Sequence, residues 1–565
     1  MSEEEKKEDA RIGVFICHCG SNIGALIDCH NLAEYAGTLP NVVHSEDNLY
    51  TCSETGLAAI RTAIQEKSLD RVVVASCTPR THEPLFRDCC EEAGLNKYLF
   101  NFVNIRDQCS WVHMKDPAGA YDKAMDLVRM GIAKSQHLEP LNMINVKINP
   151  SALVIGGGVA GMSAALSLNR QGFNTYLVEK EEKLGGRLNA LNNLFPHGIN
   201  ASEFVGNMIK NVKNSPNLEV LTSAKVLNID GFVGNFNVDI EVAGTNRTLE
   251  VGAIIVAVGS SLLDPKGLMG YDGKKRITQL ELESKLKNKE IKASNIVMIQ
   301  CVGARNDERP YCSSVCCMTA LKNAIALKEL NQNCHIVILF RDLYTPGTDY
   351  EEYYKKAREM GVIFVKYNAD KMPNVEESEI KVYNEYIGEE ISVAYDLLVL
   401  STPLISNLEN KELAQMLKVP LEANGFFLEA HVKLRPSDFA TDGIFIGGSA
   451  KWPVDITESI SQGYSAASRA STILSHAEIQ VEGATSSLPI HNKSICSGCE
   501  ICIKVCPYHA IIKNENDEIE IIEALCKGCG VCGATCKNQA LVIKHFTDEQ
   551  ILSEILACGG YQDEF

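Results

Sequence analysis

The sequence predicts an α/β protein of several domains that ends in a small, cysteine-rich α+β module. Three observations carry this. Residues 11–135 alternate apolar, β-branched runs with amphipathic helical stretches, the pattern of a parallel sheet with crossover helices. A glycine-rich turn at residues 156–161 joins an apolar strand to a helix of small residues. Eight cysteines between Cys496 and Cys536 fall into two groups of identical spacing, an internal repeat.

The chain has 565 residues, which at roughly 150 per domain predicts three or four domains. Apolar residues make up 45% and charged residues 22%, enough for real cores. A net charge of −18 argues against nucleic acid and anionic membranes as partners. No apolar run approaches the roughly 18 residues of a membrane span. The opening MSEEEKKEDAR lacks the apolar core of a signal peptide, so a cytoplasmic location is expected. In that reducing setting 22 cysteines point to metal or redox chemistry rather than disulfides. They form three groups, at 17–109, 301–334 and 496–558.

In the first domain (residues 1–135) RIGVFIC, RVVVASC and YLFNFVNI read as strands, and residues 136–150 as a linker. Cys17 and Cys19 end the first strand and face the same way. Cys77 ends RVVVASC, Cys52 follows LYT, and Cys109 lies just past YLFNFVNI. Ligands of α/β sheets bind at the carboxyl ends of parallel strands. These five thiols are therefore candidates for one cluster; the alternative is a set of scattered core cysteines. Cys29, Cys89 and Cys90 sit in helical stretches and read as packing residues; Trp111 and His113 follow Cys109 and fit a packing role as readily as a functional one. His18 reads as solvated or hydrogen-bonded.

At residues 151–179 a strand, a GxGxxG turn, a helix and a second strand ending in an acid follow in order. Gly156 allows the tight turn, Gly158 lets a pyrophosphate approach, and Gly161 lets helix and sheet pack closely. Glu179, eighteen residues after Gly161, is placed to accept from ribose hydroxyls. Gly186 and Arg187 in LGGR, next to Lys180, resemble the GGR turn of two-dinucleotide-domain flavoproteins. Residues 253–259 (AIIVAVG, ending in Gly259) and 443–467 resemble their later flavin-contacting elements, with Ser449 after Gly448 where those proteins place an Asp. FAD is thus the expected dinucleotide, on a domain of residues 151–285 and 405–480.

Flavoproteins of the thioredoxin-reductase type carry a second glycine turn in the middle. Here residues 295–300 run into Cys301, followed by Cys312, Cys316 and Cys317, with one glycine where several are needed. Residues 286–404 therefore read as a second dinucleotide-type domain with a [4Fe–4S] site in place of NAD(P)H. Cys334 reads as structural.

Cys496, Cys499, Cys502 and Cys506 follow the bacterial ferredoxin run, and Cys526, Cys529, Cys532 and Cys536 repeat it. The fourth cysteine of each run serves the other cluster in such modules. One [4Fe–4S] set is then Cys496, Cys499, Cys502 and Cys536, the other Cys526, Cys529, Cys532 and Cys506. Residues 485–545 form this domain; residues 546–565 read as a polar tail with Cys558 a bystander.

From about Arg11 to Ile543 the chain resembles the A subunit of heterodisulfide reductase. FICHCG, DNLYTC, QCSWVH, the GGGVAG and GGR turns, CVGARN, YCSSVCCM and the paired ferredoxin runs carry the likeness. The resemblance implies a thioredoxin-reductase-like FAD domain pair and FAD with three or four [4Fe–4S] clusters. It implies an electron-bifurcating subunit with B- and C-like partners, a hydrogenase- or formate dehydrogenase-type donor, ferredoxin, and a dimer of such complexes. Several members insert a further ferredoxin module before the AIIVAVG element, whereas residues 237–251 here read as a plain hairpin without cysteine. That departure keeps a simple electron-transfer relay open as the alternative. Lys322 follows Cys317 by five residues on a helix. If the cluster faces the flavin, this ammonium tunes it; on base rates it faces solvent.

Overall fold

The first sheet is parallel, in the order Val42–Asn48, Ile12–Cys17, Arg71–Ser76, Phe100–Asn104. The structure is a computed structural model and describes residues 10–141, 143–481, 489–491 and 493–558. Every residue of Ile12–Cys17 is buried, because helices cover both faces of the sheet. Cys29–Gly37 and Pro117–Gln136 cover one face, Glu54–Glu66 and Pro79–Glu92 the other. The strand Val42–Asn48 is polar and only half-buried, as an edge strand can be.

The chain divides into two units, residues 1–145 with 480–565 and residues 146–479. The first unit also holds the cysteine repeat. Its two short helices, Ile501–Val505 and Val531–Thr535, lie between the antiparallel pairs Pro489–His491 with Leu541–Ile543 and Ile511–Lys513 with Ile519–Ile521. The stretch expected to be a tail instead forms the helix Asp548–Ala557. Thr547 and Gln550 build a capping box at its start. It lies along Pro117–Gln136: Gln550 Nε2 donates to His137 O at 2.8 Å, Arg129 Nε donates to Ala557 O at 2.6 Å, and Lys134 pairs with Glu554 at 3.4 Å. Its polar composition concealed this, because polar contacts rather than an apolar stripe dock it.

The second unit contains two parallel five-stranded sheets. One runs Leu218–Leu221, Asn174–Val178, Ser151–Ile155, Ala253–Val256, Ile444–Ile446. The helices Val159–Arg170 and Ile456–Leu474 cover one of its faces. Residues 237–251 lie in the antiparallel strands Asn235–Val242 and Thr245–Val251, a plain hairpin. The other sheet runs Arg276–Thr278, Leu397–Leu400, Asn295–Ile299, His335–Phe340, Ile363–Lys366. Arg276–Thr278 pairs with Leu398, Val399 and Leu400, and Leu282 and Leu286 of the helix Gln279–Lys287 join the core of this second sheet. The boundary expected at residue 285 therefore moves to just before Arg276.

Candidate functional site

A cavity of about 420 Å³ opens at the carboxyl ends of the first five-stranded sheet. Gly156, Gly158, Glu179, Lys180, Gly186, Arg187, Gly259 and Ser449 all line it. Gly161 and Gly448 do not. A Cβ on Gly161 would stand 1.8 Å from Gly156 O, so its role is close packing. A second cavity of about 400 Å³ shares Gly156, Glu179, Lys180 and Asn407 and continues to Leu413 and Met416. The two make one elongated trough, the shape a dinucleotide needs.

The trough tests well for FAD. Nothing lies within 4 Å of where a Gly158 Cβ would be, so its backbone is open to a ligand. Gly158 starts the helix Val159–Arg170 with no side-chain cap, leaving N–H groups free for phosphate. Glu179 is held by Gly157 N at 2.7 Å and Glu181 N at 2.9 Å, one on each oxygen. Each oxygen keeps a lone pair for a ribose hydroxyl. Arg187 donates to Ser260 O at 2.7 Å and Ser260 Oγ at 2.9 Å. Burial pulls Arg187 down to about 10, opposed by the Cys316 thiol, so it stays protonated at neutral pH.

The middle cysteines adjoin this trough through the start of the helix Cys316–Leu330. Val315 and Thr319, on the turn that carries Cys316 and Cys317, line the cavity. Cys301 lies past the end of Asn295–Ile299 at φ +58, strained for a residue other than glycine. Burial raises the thiols of Cys301, Cys316 and Cys317, and Cys312 acts on all three through space. The four thiols thus lie within through-space reach of one another. Arg305 and Arg341 oppose the rise at Cys301. Arg305 is fixed by Asp342 at 2.7 Å and by Arg341, which donates to Arg305 O at 2.8 Å. Gln300, fully buried, has neither side-chain polar atom partnered among the described residues.

Lys322 is neither in solvent nor on the cavity lining. It is 3% exposed and forms an ion pair with Glu283, itself fully buried. Burial lowers its pKa and Glu283 opposes that. Lys322 Nζ donates to Asn193 O at 2.7 Å, and Asn192 N donates to Glu283 at 2.9 Å. The pair clamps the loop whose Leu191 and Phe195 line the cavity.

In the first unit burial raises the thiols of Cys19 and Cys52, and Cys17 and Cys77 add to the rise at both. Four of the five candidate thiols act on one another at the carboxyl ends of the parallel strands. Cys109 does not: it lies in the π-helical turn Arg106–Ser110 past Phe100–Asn104, and its thiol donates to Ala120 O at 3.0 Å inside the core. Arg106 Nη1 lies 4.0 Å from Cys19 Sγ and its guanidinium stacks on Trp111 at 4.5 Å, so Trp111, 47% exposed, is no core residue. In the repeat, one cavity is lined by Cys496, Cys499, Cys502 and Cys536 and another by Cys506, Cys526, Cys529 and Cys532. Cys29, Cys89, Cys90 and Cys334 are buried; Cys558 is exposed. Among the described residues no three His, Cys, Asp or Glu side chains are placed to hold a single metal ion. Ser260, Val315, Thr319, Asn407 and Arg106 carry no signal in the sequence, since none belongs to a spaced motif.

Residues 150–469 match the family of pyridine nucleotide-disulphide oxidoreductases, and residues 489–512 the 4Fe–4S binding domain. The A subunit of the H2:CoB–CoM heterodisulfide,ferredoxin reductase of Methanothermobacter thermautotrophicus is 37% identical over 100% of both chains. The chain belongs to the family of heterodisulfide reductase A subunits. The second iron–sulfur A subunit of the CoB–CoM heterodisulfide reductase of Methanopyrus kandleri is 37% identical over 90% of this chain and 92% of its own. Membership in this family makes the chain an oxidoreductase with FAD and iron–sulfur clusters. Alignment with the Methanothermobacter protein runs to 661 positions against 565 residues here, so at least 96 positions of that heterodisulfide reductase component have no counterpart. Among solved structures, T. acidophilum thioredoxin reductase is similar at 16% identity and TM-score 0.40 over 57% of this chain and 97% of its own. Among the described residues no helix is long and apolar enough to cross a membrane.

Proposed function

We propose that this chain is the FAD and iron–sulfur subunit of a cytoplasmic heterodisulfide reductase-like complex. It takes electron pairs from a hydrogenase- or formate dehydrogenase-type module. It divides each pair between low-potential ferredoxin and a disulfide-type acceptor on B- and C-like subunits, within a dimer of such complexes. The observation that carries the proposal is that Val315 and Thr319, on the same helical turn as Cys316 and Cys317, line the flavin trough. Bound FAD supplies the exchange between two-electron and one-electron transfer.

The chain's own residues supply the rest. The Gly158 N–H cradle holds pyrophosphate and Glu179 the ribose. Arg187 keeps a buried positive charge on the trough wall, which would favour added negative charge on a flavin bound there. Cys301, Cys312, Cys316 and Cys317 hold one [4Fe–4S] cluster. The two sets of four in the repeat hold two more, and Cys17, Cys19, Cys52 and Cys77 a fourth. Relatives named for H2, formate, ferredoxin and the CoB–CoM heterodisulfide support the donor and acceptor classes.

The plain hairpin at residues 237–251 and the 96 unmatched positions favour a second reading, a non-bifurcating relay. Spectroelectrochemistry of the anaerobic holoprotein separates the two. Bifurcation expects the second one-electron potential of FAD to lie above the first. Potentials in ordinary order would replace it with the relay.

A further inference from the structure

A groove of about 600 Å³ in the first unit serves neither the flavin nor any thiol ring. It opens between the helix Pro79–Glu92, the strand Phe100–Asn104, the helix Pro117–Gln136 and the segment at His545 and Phe546. Its volume is that of a small-molecule site.

The lining is cationic in a chain of net charge −18. Arg80, Arg87 and Lys134 face it; Glu83 meets Arg87 and Glu554 lies 3.4 Å from Lys134, which leaves Arg80 as the unpaired cation among the described residues. Arg80 is exposed and has no hydrogen bond or ion pair to a described residue. Arg87 Nη2 donates to Glu83 at 2.6 Å, while its Nε is buried and unpartnered. His545 is 9% exposed, and its Nε2 meets Glu139 O at 2.8 Å. A carbonyl only accepts, so Nε2 carries the proton there. Burial, then Arg87 and Lys134, lower His545, so two cations stand beside a neutral imidazole.

The other wall is aromatic. Phe102 lines the groove, and Phe546, 52% exposed, presents its ring with Lys134 Nζ 4.4 Å above it. An exposed phenylalanine beside converging cations asks for a ligand with a flat apolar part and a negative part. Inorganic anions lack the first and fatty acids the planarity. We infer that this groove binds a nucleotide, its phosphate against Arg80 and Arg87 and its base against Phe102 and Phe546.

The test uses anaerobic holoprotein saturated with FAD, so that the flavin trough is closed to competitors. Calorimetric titration with AMP, ADP and inorganic phosphate is expected to give nucleotide binding at a Kd of about 1 mM or tighter, with phosphate about tenfold weaker. Arg80→Ala, which breaks no contact with a described residue, should weaken AMP about tenfold with flavin and iron content unchanged. Phe546→Ala should remove the advantage of AMP over phosphate. No saturation by AMP or ADP at about 10 mM would overturn the inference. So would binding that Arg80→Ala leaves unchanged. Phosphate binding as tightly as AMP would overturn the nucleotide class.

Discussion

Lys322 sits at 3% exposure only because Glu283 meets it there, and each makes the other tolerable. Removing one member of such a pair strands a buried charge, a loss of about 3–5 kcal/mol. Lys322→Met should therefore lower the denaturant midpoint sharply, and Lys322→Met with Glu283→Leu should recover most of it. A double variant as unstable as the single would show that the lysine stem, not the charge, matters. The glycines and Glu179 were legible in sequence because their roles are set within one strand–turn–helix unit. Lys322 was not, because Glu283 is distant in sequence and meets it only through helix packing. Cys109 failed for a related reason: spacing tells which strand end a thiol follows, not which way a turn points it. Cys316→Ser should remove about four irons per chain while FAD stays bound. Loss of flavin with the iron would make the cluster structural.

Among elements, those with a clear period were readable, such as Ile12–Cys17 and Arg71–Ser76. The edge strand Val42–Asn48 and the helix Asp548–Ala557 were not, since neither needs an apolar face to hold its place. The helix is held partly through His545, whose pKa is lowered by burial and by Arg87 and Lys134. A base kept neutral in the fold contributes stability that is whole above its unfolded pKa of about 6.5. That contribution is lost as pH falls from there toward the lowered folded value. Amides of Asp548–Ala557 should thus exchange several-fold faster at about pH 5.5 than at about pH 7.5, after correction for intrinsic rates. His545→Gln should flatten this dependence. If it does not, the nearby pair His137 and Glu549, 3.2 Å apart, governs instead.

At the scale of the molecule, the grouping of cysteines announced three redox regions. It did not announce that the first and last stretches of chain form one unit, which depends on contacts between residues hundreds of positions apart. Four thiol rings of four predict about sixteen irons per FAD in anaerobically purified protein. Twelve would leave Cys17, Cys19, Cys52 and Cys77 without a cluster, and eight would remove the middle ring as well.

The discontinuity of the first unit also acts in time. Residues 146–479 are made between its two parts. At about 5–20 residues per second, a ribosome spends roughly 20–70 s on that interval. Throughout it, the face of Pro117–Gln136 that will receive Asp548–Ala557 waits bare on the nascent chain. The four-stranded sheet must hold itself together unaided for that long, and chaperone capture or premature association has its widest opening there.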